Sequence, residues 1–302
     1  MRLTKVIALL LVCSVCFAFL PGAGAEEGPG AVSDLWACIY DLLFNTDNVT
    51  VEGEAAFSLD GERFKTAGLH YIQEGYSSFY DLTLLTPKAD GSERETGWTI
   101  VADQEGNLDV IEKYRPGEYR EGSTEPHRTL LRRSVQLDAI VDLSILLSEQ
   151  LDQLLPAGAV STEETDGGEK IHISLREDQI PSLAVSALNI AAVYLSDRWF
   201  YYGLDRSFSE DVVLSFDSFA TVTEALACGT VRWSLENADV DFTIDAEHRL
   251  AAVEGTLEAA STFLDDTVRT VNVSFRLNMK DFGTSAVQPF NPADYGVSLP
   301  EV

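Results

Sequence analysis

Residues 271–280 (VNVSFRLNMK) alternate without exception between apolar and polar side chains. A period of two is typical of a β-strand that buries one face and exposes the other. Two segments before it, at about 228–245 and 248–264, follow the same pattern, with turns at DAEH (245–248) and LDDT (264–267). Each segment is at least about twice as long as the usual strand of roughly five or six residues. Such strands predict a strongly twisted, curved antiparallel sheet with one solvated face.

The first half of the chain shows shorter strand patterns. In the segment 49–72, apolar residues occupy alternate positions up to a DG dipeptide at 60–61. This dipeptide is typical of a tight hairpin turn between two strands. Further strands are predicted at 77–86, 96–104 and 107–115, with turns at 89–92 and 104–107, and a later hairpin at 159–165 and 169–176. Residues 49–115 therefore predict an antiparallel meander of about five strands, followed by a charged loop at 115–127.

Three segments carry helical periodicity. The first, 33–45, is amphipathic, and Ser33 or Asp34 is its predicted N-cap. The second, 137–155, places its leucines on one face and ends before a proline. The third, 181–198, is apolar nearly all round but too polar to span a bilayer, so we expect it to be buried or to lie between two surfaces.

The first 25 residues have the pattern of a secretory signal peptide. Arg2 and Lys5 give a positive start, 6–20 is apolar, and AGA (23–25) fits a cleavage site. The apolar run of about 15 residues is shorter than the roughly 20 that span a bilayer. We therefore expect cleavage rather than an uncleaved membrane anchor.

The same region argues against a lipid anchor. Cys13 and Cys16 each follow a valine, whereas a lipidated cysteine follows a small residue. After cleavage, 26–31 would be a flexible tether and 32–302 a single domain. The sequence therefore predicts an extracytoplasmic protein, secreted or in the cell envelope, without stable membrane insertion.

The composition is strongly acidic, with 49 acidic and 21 basic residues and a net charge of −28. Loss of residues 1–25 removes two basic residues and no acidic one, which leaves a net charge of −30. Such a charge repels nucleic acids and anionic membrane surfaces, so no nucleic-acid partner is expected. The acidic residues are scattered, as on a solubilising surface, and no EF-hand loop is present. We expect no cofactor and a monomer.

Two cysteines, Cys38 and Cys228, remain after the predicted cleavage. In an exported protein they could form one disulfide between the first helix and a late strand, or remain two buried thiols. Asn48 and Asn272 fit the N-glycosylation pattern, which matters only in a eukaryotic secretory pathway.

No catalytic or metal-binding motif is evident. The histidines have no metal-ligating neighbour at a suitable spacing; they are His70, His127, His172 and His248. The acidic pairs at 163–164 and 265–266 are assigned to turns, and nothing in the sequence places them in a cleft. The sequence therefore predicts a protein that is not an enzyme.

The segment 181–198 and the aromatic run at 199–202 (WFYY) offer more apolar surface than one helix on one sheet face requires. This surface could simply be core. Alternatively, helices fill a concave sheet only in part and leave a cavity for an acyl chain or a similar ligand.

The order of a first helix, a meander, a helical insertion and long final hairpins resembles the LolA/LolB-like superfamily of lipoprotein carriers, which includes the LppX/LprG-like lipoproteins. The resemblance rests on VTVEGEAAFSLDG (49–61) near the start and VNVSFRLNMKDFGTSAVQPFNPADYG (271–296) near the end. It implies a β half-barrel that wraps helices and holds lipid or lipoprotein acyl chains on its concave face.

We therefore expect an α+β, β-dominated fold, a curved antiparallel half-barrel with helices packed on its concave face. The expected function is non-catalytic binding of a hydrophobic ligand, and the partner a lipid or a lipid-modified protein. The predicted lining residues are Leu188, Leu195, Phe242, Ile244, Val253, Leu257, Val273 and Phe275. The alternatives are a cell-surface structural or interaction module with a self-filled core, and a secreted hydrolase.

Overall fold

The computed structural model describes residues 31–113, 119–124, 126–130, 158–180, 230–263 and 266–296. These residues form one α-helix, α1 (Ala31–Phe44), two short 3-10 turns (Glu177–Gln179 and Pro292–Tyr295) and eleven strands. The strands are β1 (Asn48–Leu59), β2 (Glu62–Glu74), β3 (Ser77–Pro87), β4 (Glu93–Ala102), β5 (Asn107–Glu112), β6 (Tyr119–Ser123), β7 (Val160–Thr165), β8 (Gly168–Arg176), β9 (Thr230–Asp245), β10 (Leu250–Phe263) and β11 (Val268–Lys280).

The strands form one antiparallel sheet in the order β6-β5-β4-β3-β2-β1-β11-β10-β9-β8-β7. Two meanders, β1–β6 and β7–β11, meet where the first strand pairs with the last. In the described part of the chain β6 and β7 are the edges and no ladder joins them, so the sheet is open. The predicted class, a β-dominated α+β fold built on a curved antiparallel half-barrel, is confirmed.

Several predicted segments lie outside the described residues. They are the signal peptide at 1–25, nearly all of the tether at 26–31, and the helices at 137–155 and 181–198. Among the residues that are described, no helix is long and apolar enough to cross a membrane.

The first hairpin forms as its turn sequence predicts. Asp60 and Gly61 have φ values of 51° and 84°, the left-handed conformation that a two-residue hairpin turn requires. Leu59 pairs directly with Glu62 across this turn. The Asp60 carboxylate also accepts a hydrogen bond from the Thr270 backbone N–H at 2.9 Å, which fastens the turn to β11.

Helix α1 packs its apolar stripe on the sheet, against β9 and β10. The apolar residues that recur at helical spacing in the predicted segment 33–45 are all buried; they are Leu35, Ile39, Leu42 and Leu43. The N-cap prediction is wrong, because Ser33 and Asp34 both lie within the helix. Asp34 instead occupies the first turn, where the helix dipole favours a carboxylate.

Two further predictions are corrected by the pairing of the strands. The expected charged loop at 115–127 contains β6, which pairs with β5 from Asn107–Ser123 to Ile111–Tyr119. In β10 the register shifts between Leu250 and Ala252, so Leu250 is fully buried opposite Ile244. Ala251, which the alternation placed with the apolar residues, lies at this irregularity and is partly exposed.

Gly97 produces a close approach between β3 and β4. Its φ of 140° is open to glycine and rarely adopted by other residues. A Cβ atom at this position would lie 1.9 Å from the Leu82 carbonyl oxygen. The close approach of the two strands at this position therefore requires glycine.

We expect Gly97→Ala to lower the free energy of unfolding by about 3 kcal/mol or more, because both the backbone conformation and the Leu82 carbonyl oppose a methyl group. Gly68→Ala is the matched control, since a Cβ built on Gly68 has nothing within 4 Å. The control should change stability by less than about 1 kcal/mol. Urea denaturation measures both, and equal effects would contradict this role of Gly97.

Candidate functional site

The candidate site is the inner face of the sheet, defined as the side that carries α1. A row of directly paired residues crosses eight strands on this face, from β4 to β8 through the β1–β11 junction. The row is Trp98, Leu82, Leu69, Gly53, Leu277, Val253, Phe242 and Ile171. Because side chains alternate along each strand, the residues two and four positions away continue the same apolar face.

A second row lies four residues further along β1, away from α1, and is called here the far row. Its members are Lys65, Phe57, Val273, Leu257, Ala238 and Leu175. It crosses six strands, from β2 to β8, near the end of the sheet that holds the Asp60–Gly61 turn. All but one of its members are apolar.

The structure brings six of the eight predicted lining residues onto the inner face. Phe242 and Val253 pair in the first row, Leu257 and Val273 pair in the far row, and Phe275 lies between the rows opposite Ala55 and Gly255. Ile244 faces Leu250 at the end nearer to α1. Leu188 and Leu195 lie outside the described residues.

Burial divides these residues into two groups. Phe242, Ile244 and Val253 are at most 1% exposed and belong to the same core cluster as Leu35 and Ile39 of α1. In the far row, by contrast, the side chains of Leu257, Val273 and Phe57 are partly exposed at the margin of that cluster. The inner face next to α1 is therefore protein core. The far row retains accessible apolar surface at Phe57, Val273 and Leu257, whereas Ala238 and Leu175 at its other end are buried.

The described chain also approaches its undescribed segments on this face. Leu130 and Ala159, which flank residues 131–157, are buried in the inner-face cluster. Ile180, which precedes residues 181–229, belongs to it as well. The described residues nearest to these two segments therefore lie on the inner side of the sheet.

Lys65 is a site residue that the sequence analysis missed. If the pairing continued unchanged from the Asp60–Gly61 turn, Lys65 would pair with Ala56 and lie on the outer face. A register shift next to Phe57 instead pairs Lys65 with Phe57, on the inner face. A signal was present in the sequence, because Lys65 shares its parity with Ala67, Leu69 and Tyr71.

The environment of Lys65 is unfavourable to its charge. The residue is only 5% exposed. Burial, and next the nearby Arg94 guanidinium, lower the pKa of Lys65 to about 8. Arg94 pairs with Thr86, two residues beyond the Leu84–Thr96 pair, so it lies on the same inner face. Two basic residues therefore stand beside the apolar far row.

Further polar groups are buried on the inner face of β3, β4 and β5. Within the part of the chain that the structure describes, the Tyr80 hydroxyl, the Thr96 hydroxyl and both carboxylate oxygens of Glu112 have no hydrogen-bond partner. The Arg120 guanidinium lies 3.7 Å from Glu112 Oε1 and balances its charge. Leaving a buried polar group without a hydrogen bond costs about 1–3 kcal/mol.

The outer face carries the charged partners expected of a solvated surface. Lys280 Nζ lies 2.8 Å from Glu52 Oε1, and Lys170 Nζ lies 2.9 Å from Asp241 Oδ2. Burial opposes ionisation of Asp241, yet hydrogen bonds from Lys170 and His172 hold the pKa of its carboxyl below the ordinary value. These pairs cross adjacent strands and favour the observed register.

Cys38 and Asn48, which the sequence analysis singled out, make contacts within the fold. The Cys38 thiol is free and donates to the His248 carbonyl oxygen at 3.1 Å; burial is the main cause that raises its pKa to about 11. In the structure Cys38 is thus a buried thiol and not half of a disulfide, and Cys228 lies outside the described residues. Asn48 donates to the Ser285 carbonyl at 2.9 Å and accepts from its N–H at 2.7 Å, so its amide is already engaged.

The acidic pair Glu163 and Glu164 lies in the exposed strand β7, not in a turn. Asp266 does occupy a turn, with a φ of 60°, and Asp265 is outside the described residues. Among the residues described, no group of three or more His, Cys, Asp or Glu side chains could hold a metal ion.

Comparison with known proteins does not assign the chain to a family. No family model matches the chain, and no curated protein matches it. A LolA superfamily protein of Nitrosomonas europaea is 11% identical over 86% of this chain and 95% of that one, with a TM-score of 0.20. A protein of Lactobacillus plantarum described as an oleoyl thioesterase is 10% identical over 82% and 85%, with a TM-score of 0.11. The first likeness is a weak one at the level of the fold, and neither carries an argument about function.

We expect Lys65→Met to raise the free energy of unfolding at pH 7 by up to about 3 kcal/mol. A lysine whose pKa is lowered by folding binds fewer protons than in the unfolded chain, so its cost is complete below pH 8. The cost disappears as the pH rises towards 10.5, the ordinary pKa of lysine. Urea unfolding of both proteins at pH 7 and near pH 10.5 measures this difference.

Lys280→Met is the control for Lys65→Met, because Lys280 is an exposed outer-face lysine that pairs with Glu52. It should bring no gain in stability at either pH. A Lys65→Met protein that is less stable than the native chain by the same amount at both pH values would show that burial of the amine is not a cost.

Two tyrosines that pair across β2 and β3 allow a matched test of the unsatisfied polar groups. The Tyr71 hydroxyl donates to Gln73, whereas the Tyr80 hydroxyl has no partner. We expect Tyr71→Phe to cost about 1 kcal/mol and Tyr80→Phe to be neutral or stabilising. Thermal unfolding of both variants measures this difference. Equal losses of stability would contradict the assignment of the Tyr80 hydroxyl as the unsatisfied group.

Proposed function

We propose that the protein binds a hydrophobic ligand, an acyl chain of a lipid or of a lipid-modified protein, at the far row of its inner face and without catalysis. The observation that supports this most is the burial difference along one continuous apolar face. Residues under α1 are fully buried, whereas Leu257, Val273 and Phe57 of the far row are partly exposed.

The partly exposed members of the far row form a continuous apolar strip. Phe57, Val273 and Leu257 pair directly across three adjacent strands, which lie about 4.8 Å apart, so the strip extends over about 10 Å. A segment of an acyl chain that lies along it would contact these three side chains in turn. Covering apolar surface yields about 25 cal/mol per Å² removed from water, so partly exposed side chains are a favourable binding surface.

The proposed setting is extracytoplasmic, and it follows from the signal-peptide pattern at 1–25. An acidic chain of net charge −28, whose outer face is polar and ion-paired, fits a freely diffusing monomer that keeps one apolar surface for its ligand. The proposed partners are a lipid or a lipid-modified protein, and not a nucleic acid.

We expect Val273→Asn to weaken binding of dansylaminoundecanoic acid, a fluorescent fatty acid, by about tenfold or more, because it places a polar amide in the far row. Ser274→Asn is the matched control, since Ser274 is the next residue of β11 and lies exposed on the outer face. The control should bind as tightly as the native protein. Fluorescence titration of protein purified without detergent measures both, and circular dichroism verifies that each variant is folded.

Native mass spectrometry of the same preparation provides an independent test. A mass above that of the bare chain, lost on organic extraction, would support a bound hydrophobic ligand. A bare mass together with no binding of the fluorescent fatty acid or of its methyl ester would reject the proposal. That result would favour a structural or interaction module whose inner face is filled by its own chain.

A further inference from the structure

We propose that the exposed edge of β7 is an interaction surface for an extended, basic segment of a partner protein, which pairs with β7 as a further strand of the sheet. This surface is separate from the far row, so the inference goes beyond the proposed function. It depends on the backbone groups that β7 leaves unpaired and on the charge of the residues around them.

Strand β7 has an open backbone edge. It pairs with β8 and stands at the end of the strand order. The Ser174 N–H donates to the Ala159 carbonyl oxygen at 2.9 Å, and such hydrogen-bonded positions alternate along an antiparallel strand. The N–H and C=O groups of Val160, Thr162 and Glu164 therefore point away from β8. Within the described chain, no strand pairs with them.

Both faces of β7 are also uncovered. The residues from Ser161 to Thr165 are all exposed, although successive side chains of a strand point to opposite faces of the sheet. In β8, by contrast, Ile171 and Ile173 are at most 2% exposed. An extended segment can therefore reach the edge of β7 without displacing any part of the described chain.

The other edge of the sheet, β6, differs in this respect. The Tyr119 ring stacks on Phe290 with 5.4 Å between the ring centroids, and its hydroxyl donates to Asp109 at 2.6 Å. The next residue, Arg120, lies 3.7 Å from Glu112. Strand β7 has no comparable contacts in the described chain. It also contains no proline and no register shift, which are two features that block pairing at other edges.

The charge at this edge indicates the chemistry of the partner. Glu163 and Glu164 are neighbours on β7, and Glu169 of β8 lies directly opposite Glu164. Like charges in directly opposite positions are unfavourable, and a cation placed beside them would relieve the repulsion. Lys170, the basic residue opposite Glu163, lies 2.9 Å from Asp241 and is already engaged. A partner segment with lysine or arginine next to Glu163 and Glu164 would therefore be favoured.

The same charge makes a second copy of this chain an unfavourable partner. Two β7 edges side by side would bring Glu163 and Glu164 of both copies together, on proteins that each carry a net charge of −28. An acidic edge thus opposes self-pairing while it stays open to a basic segment. Main-chain hydrogen bonds would supply affinity, and the glutamates would select the partner.

The test uses a fluorescein-labelled peptide, Thr-Lys-Val-Lys-Val-Lys-Thr, and two relatives. One relative carries N-methyl groups on its three central residues, which keeps the charge and removes backbone donors. The other has glutamate in place of lysine. We expect fluorescence anisotropy to show that the native protein binds the first peptide at least about tenfold more tightly than the N-methylated one. The glutamate peptide should not bind.

Variants of the protein test the same contacts. Thr162→Pro removes an N–H that points away from β8 and should weaken binding about tenfold or more, whereas Thr162→Val, which keeps the N–H, should bind normally. Glu163→Gln combined with Glu164→Gln should also weaken binding. Its control, Glu62→Gln combined with Glu105→Gln, changes the net charge equally at two exposed acids outside β7 and should bind normally. Circular dichroism verifies that each variant is folded.

Hydrogen exchange followed by mass spectrometry locates the bound peptide. We expect slower exchange in 160–165 and no change elsewhere in the sheet. Absence of binding, equal binding of the N-methylated peptide, or protection at another place would overturn the proposal. A dimer in sedimentation that Thr162→Pro abolishes would show that the edge takes a second copy instead. None of these results bears on fatty-acid binding at the far row, which a different probe measures.

Discussion

The pairing of β1 with β11 is the interaction on which the rest of the structure depends. It joins strands from opposite ends of the described chain, from Thr50–Lys280 to Leu59–Val271, and merges two meanders into one sheet. Both ends of this ladder are fixed by side chains. Asn48 holds Ser285 at one end, and Asp60 holds Thr270 at the other. A slip of one residue would turn every apolar side chain of β11 outwards, so these contacts preserve the inner face.

A continuous inner face has different consequences at its two ends. Near α1, helix and sheet bury each other, and the predicted lining residues Phe242 and Val253 become core. Further away, three apolar side chains of the far row, Phe57, Val273 and Leu257, stay partly exposed. The outer face of these strands pairs its charges across neighbouring strands, as between Lys170 and Asp241. The accessible apolar surface of the far row therefore lies on the opposite side of the sheet from these ion pairs.

The strands and hairpins could be predicted because their signals are local. The Asp60–Gly61 turn and the alternation of 271–280 need no knowledge of the rest of the chain. Strand β6 was missed because Tyr119–Ser123 has no apolar alternation and is defined by its backbone pairing with β5. The irregularities at Leu250 and Phe57 were missed for a related reason. A register shift is a property of two paired strands, and one strand read alone does not reveal it.

The same limit applies to the candidate site. The side of the sheet on which a residue lies follows from parity within one strand, so six of the eight predicted lining residues lie on the inner face. Burial does not follow from parity, because it depends on which elements cover the face. Phe242 and Val253 belong to the core cluster that includes α1, whereas Leu257 and Val273 are partly exposed at its margin. Alternation in one strand therefore assigns a side chain to a face, and only the packing of distant segments decides whether that side chain stays accessible.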